Sequence, residues 1–366
     1  METKYKEIRN RDDASVKSYP MNGGEGQYSY AKTSSFYQQR GLDITKTFLS
    51  EEITKKLDVK LLCSSSNSFN IADLGCSVGP NTLFGIQNII QSIELTSQFQ
   101  GLNVQFQVFF NDHTSNDFNT LFKSLPPGRT YFAAGVPGTF YGRLFPENSL
   151  HFVHSSYAIH WLSKVPEEVA DKNSAAWNKG RVVHGGSKEV EKVFSCQYEN
   201  CMEKFLRARA MEIVCGGFMA LLLPCIPNGA DPAKSSLVAA FDLVGSSLME
   251  LAERGLLDEA EVDSFNLPIY VPAPAKLESL IQRNGCFKIE RMEQFLRPMT
   301  HDKRQSVEKL ALVIRSGVEG IIKQHLGSEF IDQIFNLYTE KLIESELFSS
   351  ANYVPMFDLF IFLKRI

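Results

Sequence analysis

Hydrophobic and polar positions along this chain switch repeatedly between two periods. Residues 69–74 are a short apolar run closed by Gly75, and after a Gly/Pro/Asn turn Leu83, Ile86, Ile89 and Ile90 fall at helical spacing within 82–93. This predicts a strand, a loop and a helix. Residues 104–110 alternate apolar positions with glutamines and end at Asn111-Asp112, 150–154 read as a third strand, and 218–223 as a fourth entered through Gly216-Gly217. Strands separated by helices imply an α/β fold with a largely parallel sheet covered by helices. Later runs at 287–291 and 359–364 would add an antiparallel edge. Residues 235–255 hold Leu237, Ala240, Phe241, Val244, Leu248 and Leu251 at helical spacing, and 307–347 read as two or three more amphipathic helices. The sheet has no use for them, so they are expected to cap the strand ends. The serine-rich stretch 64–68 reads as a surface loop ahead of the sheet, and no internal repeat is visible.

Composition narrows the class. With 366 residues, 43% hydrophobic and 22% charged, the chain is an ordinary globular protein, not a disordered, collagen-like or coiled-coil one. Its 38 Lys+Arg against 42 Asp+Glu leave a net charge of -4, without the basic excess that phosphate contacts demand, so no nucleic-acid partner is expected. The seven cysteines are odd in number and form no CxxC pair, which suits a reducing compartment. The charged N-terminus has no apolar core of a secretory signal, and no apolar run approaches the roughly 20 residues of a membrane span. A cytoplasmic location without membrane attachment is the expectation.

Chemistry concentrates after the strands. In Asp73-Leu74-Gly75-Cys76-Ser77-Val78-Gly79-Pro80-Asn81 a strand ends in Asp-x-Gly and a second glycine opens a helix. Such a turn lets backbone amides approach a ligand's polar end, and a nucleoside cofactor is the natural reading; tight helix–strand packing would use the same turn. The third glycine of the dinucleotide fingerprint is missing, which argues against NAD. Asp112 is placed to accept ribose hydroxyls in a doubly wound fold, or else to cap the segment that follows. Thr139, Phe140 and Tyr141, then Ser156, Tyr157, His160 and Trp161, would reach the same sheet edge. Side by side, His160 and Trp161 offer donors suited to an anionic or carbonyl oxygen, while a core His-Trp pair is the bland alternative.

These blocks, together with Met21-Asn22-Gly23-Gly24-Glu25-Gly26, Ser29-Tyr30-Ala31, Asn116-Asp117-Phe118-Asn119, Gly135-Val136-Pro137-Gly138, Trp177-Asn178-Lys179-Gly180 and Asp263-Ser264-Phe265-Asn266-Leu267-Pro268, strongly resemble the plant SABATH methyltransferases from about residue 20 onward. In texture the chain is nearest the loganic acid and farnesoic acid carboxyl methyltransferases. The resemblance implies a Rossmann-like methyltransferase sheet with a helical cap. An arm at 1–50 would contribute to the active site, a core at 51–228 would be completed by 277–298 and 354–366, and the cap would take 229–276 and 299–353.

The implied activity is methyl transfer from S-adenosylmethionine to the carboxylate of a small plant metabolite, with xanthine-type N-methylation as the alternative. Carried over by position, Tyr30, Ser34, Asp73, Gly75, Asn81, Asp112, His113, Thr139, Phe140 and Ser156 would bind the cofactor. Asn22, Tyr37, Tyr157, His160, Trp161, Ile226, Ala240, Phe241 and Met356 would bind the substrate, with His160 and Trp161 as the catalytic pair. Carboxyl-methylating members usually carry Gln where this chain has Tyr37. Phe241 and Ala240 lack the polar groups a glycosylated acid would want, so a less polar acid is favoured. The family also implies a magnesium site at Asn178, Asp263, Phe265 and Asn266, oxygen donors plausible for a hard cation; a capped turn before Pro268 is the alternative. A homodimer is implied too. A ligand-binding protein without turnover would predict a broken cofactor motif, whereas Asp73, Gly75, Gly79 and Asp112 are all intact.

Overall fold

The computed structural model describes residues 19–63, 67–297 and 302–366, so the heart of the serine-rich stretch, 64–66, lies outside the described residues. Seven strands form one sheet: β1 (Ser68–Leu74), β2 (Gln105–Asp112), β3 (Tyr131–Pro137), β4 (Leu150–Ser156), β5 (Ile213–Cys225), β6 (Phe287–Leu296) and β7 (Phe357–Arg365). Their order is β3-β2-β1-β4-β5-β7-β6. The first five run parallel, while β7 is antiparallel to both β5 and β6. The order reverses between β1 and β4, and in such sheets a crevice opens there at the carboxyl ends of the strands.

The helices, in chain order, are α1 (Tyr30–Thr33), α2 (Gln38–Lys56), α3 (Val59–Leu62), α4 (Pro80–Phe99), α5 (Phe118–Lys123), α6 (Lys188–Glu212), α7 (Ser236–Glu253), α8 (Glu259–Ser264), α9 (Pro274–Asn284), α10 (Lys303–Leu326) and α11 (Ile331–Glu344). One sheet face packs on α2 and α4 through Leu49, Ile53, Ile86 and Ile90, with Phe69, Phe106 and Phe110 from the strands. The other face packs on α6 and α9 through Phe194, Met202, Phe205 and Leu277. A third core, built from α7, α8, α10 and α11, is the cap.

Four details differ from the sequence expectation. Residues 131–137 are a strand, so the runs at 150–154 and 218–223 are the fourth and fifth strands; the Ala and Gly of β3 give it little apolar alternation to detect. The long helix α6 was not foreseen, because its buried stripe of Val190, Phe194, Tyr198 and Met202 is diluted by charged residues. Helix α2 runs through residue 50, the expected end of the arm, and its Leu49 and Ile53 belong to the sheet's core. The fifth strand also begins ahead of its glycines: Gly216 sits at φ 82, and a Cβ on Gly217 would come within 2.9 Å of the His151 carbonyl, so a glycine irregularity lies inside the strand.

Candidate active site

The turn after β1 is shaped by close packing. Gly75 has φ 79, and a Cβ there would lie 2.3 Å from the Cβ of Ala158, so no larger residue fits. The Gly75 and Cys76 amides both donate to the Asn111 carbonyl at 2.9 Å, tying the ends of β1 and β2 together. Ser77 follows in the left-handed region at φ 51 and donates its amide to Asp112 Oδ2 at 2.7 Å, while the His113 amide donates to Oδ1 at 2.7 Å. Burial pushes the Asp112 carboxyl up, and these two amides oppose that shift. Its carboxylate is therefore held rigidly on the wall of a cleft with lone pairs left for a diol.

The N-terminal arm covers this turn. Asn81, in the first turn of α4, donates Nδ2 to Ser34 Oγ at 3.0 Å, and a Cβ on Gly79 would meet Ser34 Oγ and the Tyr30 ring at 3.4 Å. Asn22 accepts the Tyr30 amide on its carbonyl and donates its own amide to the Ser316 carbonyl on α10, both at 2.8 Å. Thr139 and Phe140 face the same cleft. Their loop is clamped from below by Arg209, which donates to the Phe140 and Gly142 carbonyls at 2.9 Å and pairs with Glu212 at 2.6 Å, both side chains fully buried.

At the other end Tyr157 adopts φ 54 and donates its hydroxyl to Asp358 Oδ2 at 2.8 Å. His160 and Trp161 follow on the cleft wall. The Nδ1 of His160 is buried without a hydrogen-bond partner, and burial, with the nearby Arg297 charge, pushes the imidazole down to about 3. It is neutral at neutral pH. The half-buried Trp161 indole lies against Gly317 of α10, where a Cβ would approach it to 3.5 Å. Leu237 and Phe241 of α7 and Leu310, Val313, Ile314 and Val318 of α10 complete an apolar wall, and the cleft encloses about 1210 Å³ including its open mouth.

Ten of the expected residues thus meet on one cleft: Tyr30, Gly75, Asp112, His113, Thr139, Phe140, Tyr157, His160, Trp161 and Phe241. Others sit behind it. Asp73 accepts from Thr82 Oγ1 and meets His154 Nδ1 at 2.7 Å beneath the turn, so it braces β1 against α4. Ser34 and Asn81 support Tyr30, and half-buried Ser156 ends β4 just before the wall. Ile226, Ala240 and Met356 are buried within the cap core, where apolar packing outcompetes exposure to the cleft. Tyr37 is likewise turned into the cap core, donating its hydroxyl to the Ser306 carbonyl at 2.7 Å. The neighbouring Gln38 lines the cleft instead, with Oε1 buried and unpartnered. Sequence reasoning missed Gln38, Ser77 and Arg297. The single clue for Gln38 was the adjacent family position, and Arg297 left none because its strand end says nothing of the cavity it meets.

The expected metal residues do converge in part. Asn178 donates Nδ2 to Asn266 Oδ1 at 2.8 Å, and Asp263 Oδ1 on the last turn of α8 is buried without a partner. No group of three or more His, Cys, Asp or Glu that could hold a metal occurs among the described residues.

The cleft suits a nucleoside with a charged amino-acid tail. Asp112 presents a fixed carboxylate for ribose hydroxyls, and Ser77 on the same wall has a buried Oγ without a partner. A family profile described as SAM dependent carboxyl methyltransferase matches residues 16–366. The chain belongs to this family. Loganic acid O-methyltransferase of Catharanthus roseus is 44% identical over 96% of this chain and 95% of its own length. Farnesoic acid carboxyl-O-methyltransferase of Arabidopsis thaliana is 42% identical over 89% and 93%. The solved structure of loganic acid methyltransferase with SAH superposes with a TM-score of 0.90 at 44% identity, covering 94% of this chain and 98% of that one. The protein is accordingly an S-adenosylmethionine-dependent carboxyl methyltransferase by family, with the fold and cofactor that its sequence blocks imply.

Proposed function

We propose that this enzyme esterifies a small, largely apolar carboxylic acid. The observation that carries the reading is a single cleft whose polar turn around Asp112 leads directly to His160, Trp161 and Gln38, and then to an aliphatic wall from α7 and α10. S-adenosylmethionine, when bound, supplies a sulfonium methyl, so a carboxylate oxygen gains the methyl carbon as the carbon–sulfur bond breaks, leaving a neutral ester and thioether with no proton to move. A carboxylate is already ionised at neutral pH, and the chain accordingly needs no general base. His160, held neutral, donates or accepts a hydrogen bond without abstracting a proton. Trp161 can only donate, and the Gln38 amide adds a second orienting group. Tyr30 and the arm close the cofactor end, while the cap excludes the water that would solvate the nucleophile.

A glycosylated acid is disfavoured because Leu237, Phe241, Val313 and Ile314 offer sugar hydroxyls no partner. The test is mass spectrometry of reactions containing the protein, S-adenosylmethionine and a panel of aromatic, terpenoid and glycosylated acids with xanthines. A methyl ester of an apolar acid is expected; an N-methylated purine would overturn the reading.

We infer also that Asp263, Asn178, Asn266 and the Phe265 carbonyl would hold a hard divalent cation in a bracing role, supported by the unpartnered Asp263 oxygen. A homodimer in the reducing cytoplasm is the matching proposal for assembly and location. Its support is the family resemblance and seven unpaired cysteines.

A further inference from the structure

Apart from its imidazoles, the cleft carries two charged side chains among the described residues, Asp112 at the cofactor end and Arg297 at the acceptor end. Arg297 directly follows β6, is 7% exposed, and donates Nε to both Asp358 oxygens at 3.2 and 3.1 Å and Nη2 to Oδ1. Asp358, at the start of β7, is wholly buried behind it and also accepts the Tyr157 hydroxyl. The guanidinium carbon lies 5.4 Å from the centre of the Tyr157 ring, itself part of the cleft wall. Arg297 lines the cavity whereas Asp358 does not, so the cation is the member of the pair that meets the cleft.

We propose that Arg297, held by Asp358 and Tyr157, is the specificity residue that makes the acceptor end of the cleft select an anion. This inference rests on the carboxylate reading above and names the device behind it. His160 cannot serve, because it is neutral at neutral pH, and the remaining acceptor wall is uncharged. A buried carboxylate needs a compensating charge to leave water, and a rigid guanidinium supplies one without first having to be ordered. The same argument sets where its effect falls in the kinetics. Methyl transfer annihilates charge, since an anion and a sulfonium give two neutral products. A nearby cation therefore holds the substrate more strongly than the transition state, so it lowers KM without raising kcat. It also has no hold on the neutral ester, which favours release.

The experiment uses whichever acid the wild-type enzyme esterifies, and its methyl ester as a neutral probe. Affinities are measured calorimetrically on protein saturated with S-adenosylhomocysteine, beside KM and kcat. Because Arg297→Met alone would strand a buried carboxylate, the main variant is Arg297→Met with Asp358→Asn. We expect acid affinity to fall and KM to rise roughly 30-fold, with kcat not reduced, ester affinity within about 2-fold, and cofactor affinity unchanged. Asp358→Asn alone, which leaves the cation uncompensated, should tighten acid binding, and Arg297→Lys should keep the preference for acid over ester. Should the double variant fail to fold, these two single variants decide. Acid and ester affinities that move together, or weaker acid binding in Asp358→Asn, would show Arg297 to be a clip between strands and overturn the proposal. A wild-type enzyme that esterifies no acid removes the parent reading and this one with it; esterification with unchanged discrimination in the variants removes this one alone.

Discussion

Two neighbouring side chains, Tyr37 and Gln38, show how much one residue of phase decides. Tyr37 sits at the N-cap of α2 and points into the cap core, whereas Gln38 begins the helix and faces the cleft. Tyr37→Phe should therefore cost about 1 kcal/mol of stability, the worth of one hydrogen bond, and leave acid preference unchanged in a competition assay. Gln38→Ala should raise KM for the acid roughly 10-fold with intact cofactor binding. Asp112→Ala removes the carboxylate that two amides aim at the cleft, and S-adenosylhomocysteine affinity should drop by about 100-fold by calorimetry. His160 makes a pH prediction. Its folded value near 3 lies below the ordinary 6.5, so the unfolded chain takes up a proton that the native state refuses. Stability is full above about 6.5 and falls as the pH drops toward 3. Urea midpoints across that range should show a steeper acid loss for the wild type than for His160→Gln, and a plot of kcat/KM between pH 7 and 9 should carry no His160 step.

At the scale of elements, the end of α6 holds the loop that follows β3. Arg209 and Glu212 are both fully buried, and between them they satisfy the Phe140 and Gly142 carbonyls and the Leu144 and Phe145 amides. Replacing Arg209 by Met leaves Glu212 charged and alone, so chemical denaturation should report a loss of about 3–5 kcal/mol. Cofactor affinity should weaken too, because Phe140 loses its support. The loop around α8 makes a different claim. If a divalent cation satisfies the buried Asp263 oxygen, magnesium should raise the melting temperature of the wild type and not of Asp263→Asn, with kcat unaffected; equal shifts in both would dismiss the site. The Arg209 contacts were not legible in sequence, since Arg209 and Phe140 are 69 positions apart.

For the molecule as a whole, the repeating strand and helix periods sufficed to predict the α/β sheet, its antiparallel edge and the cap, because burial on two faces imposes them locally. Asp73, Gly75 and Asp112 were legible because turn geometry at strand ends restricts residue choice, and His160 and Trp161 through the family resemblance. Even there the division of labour was not. Asp73 braces the turn, and Asp112 faces the ligand, a difference set by which carboxylate meets Thr82 and His154. What the chain alone determined is thus the sheet and the cofactor turn, encoded in short-range spacing, and the expected chemistry, through its resemblance to a known family. What only the tertiary structure decided is the acceptor pocket. Gln38, Phe241, Arg297 and the α10 wall come from four separate stretches of the chain. They become neighbours only when the arm and cap close over the sheet, and their packing and charge, not their spacing, set what the cleft will accept.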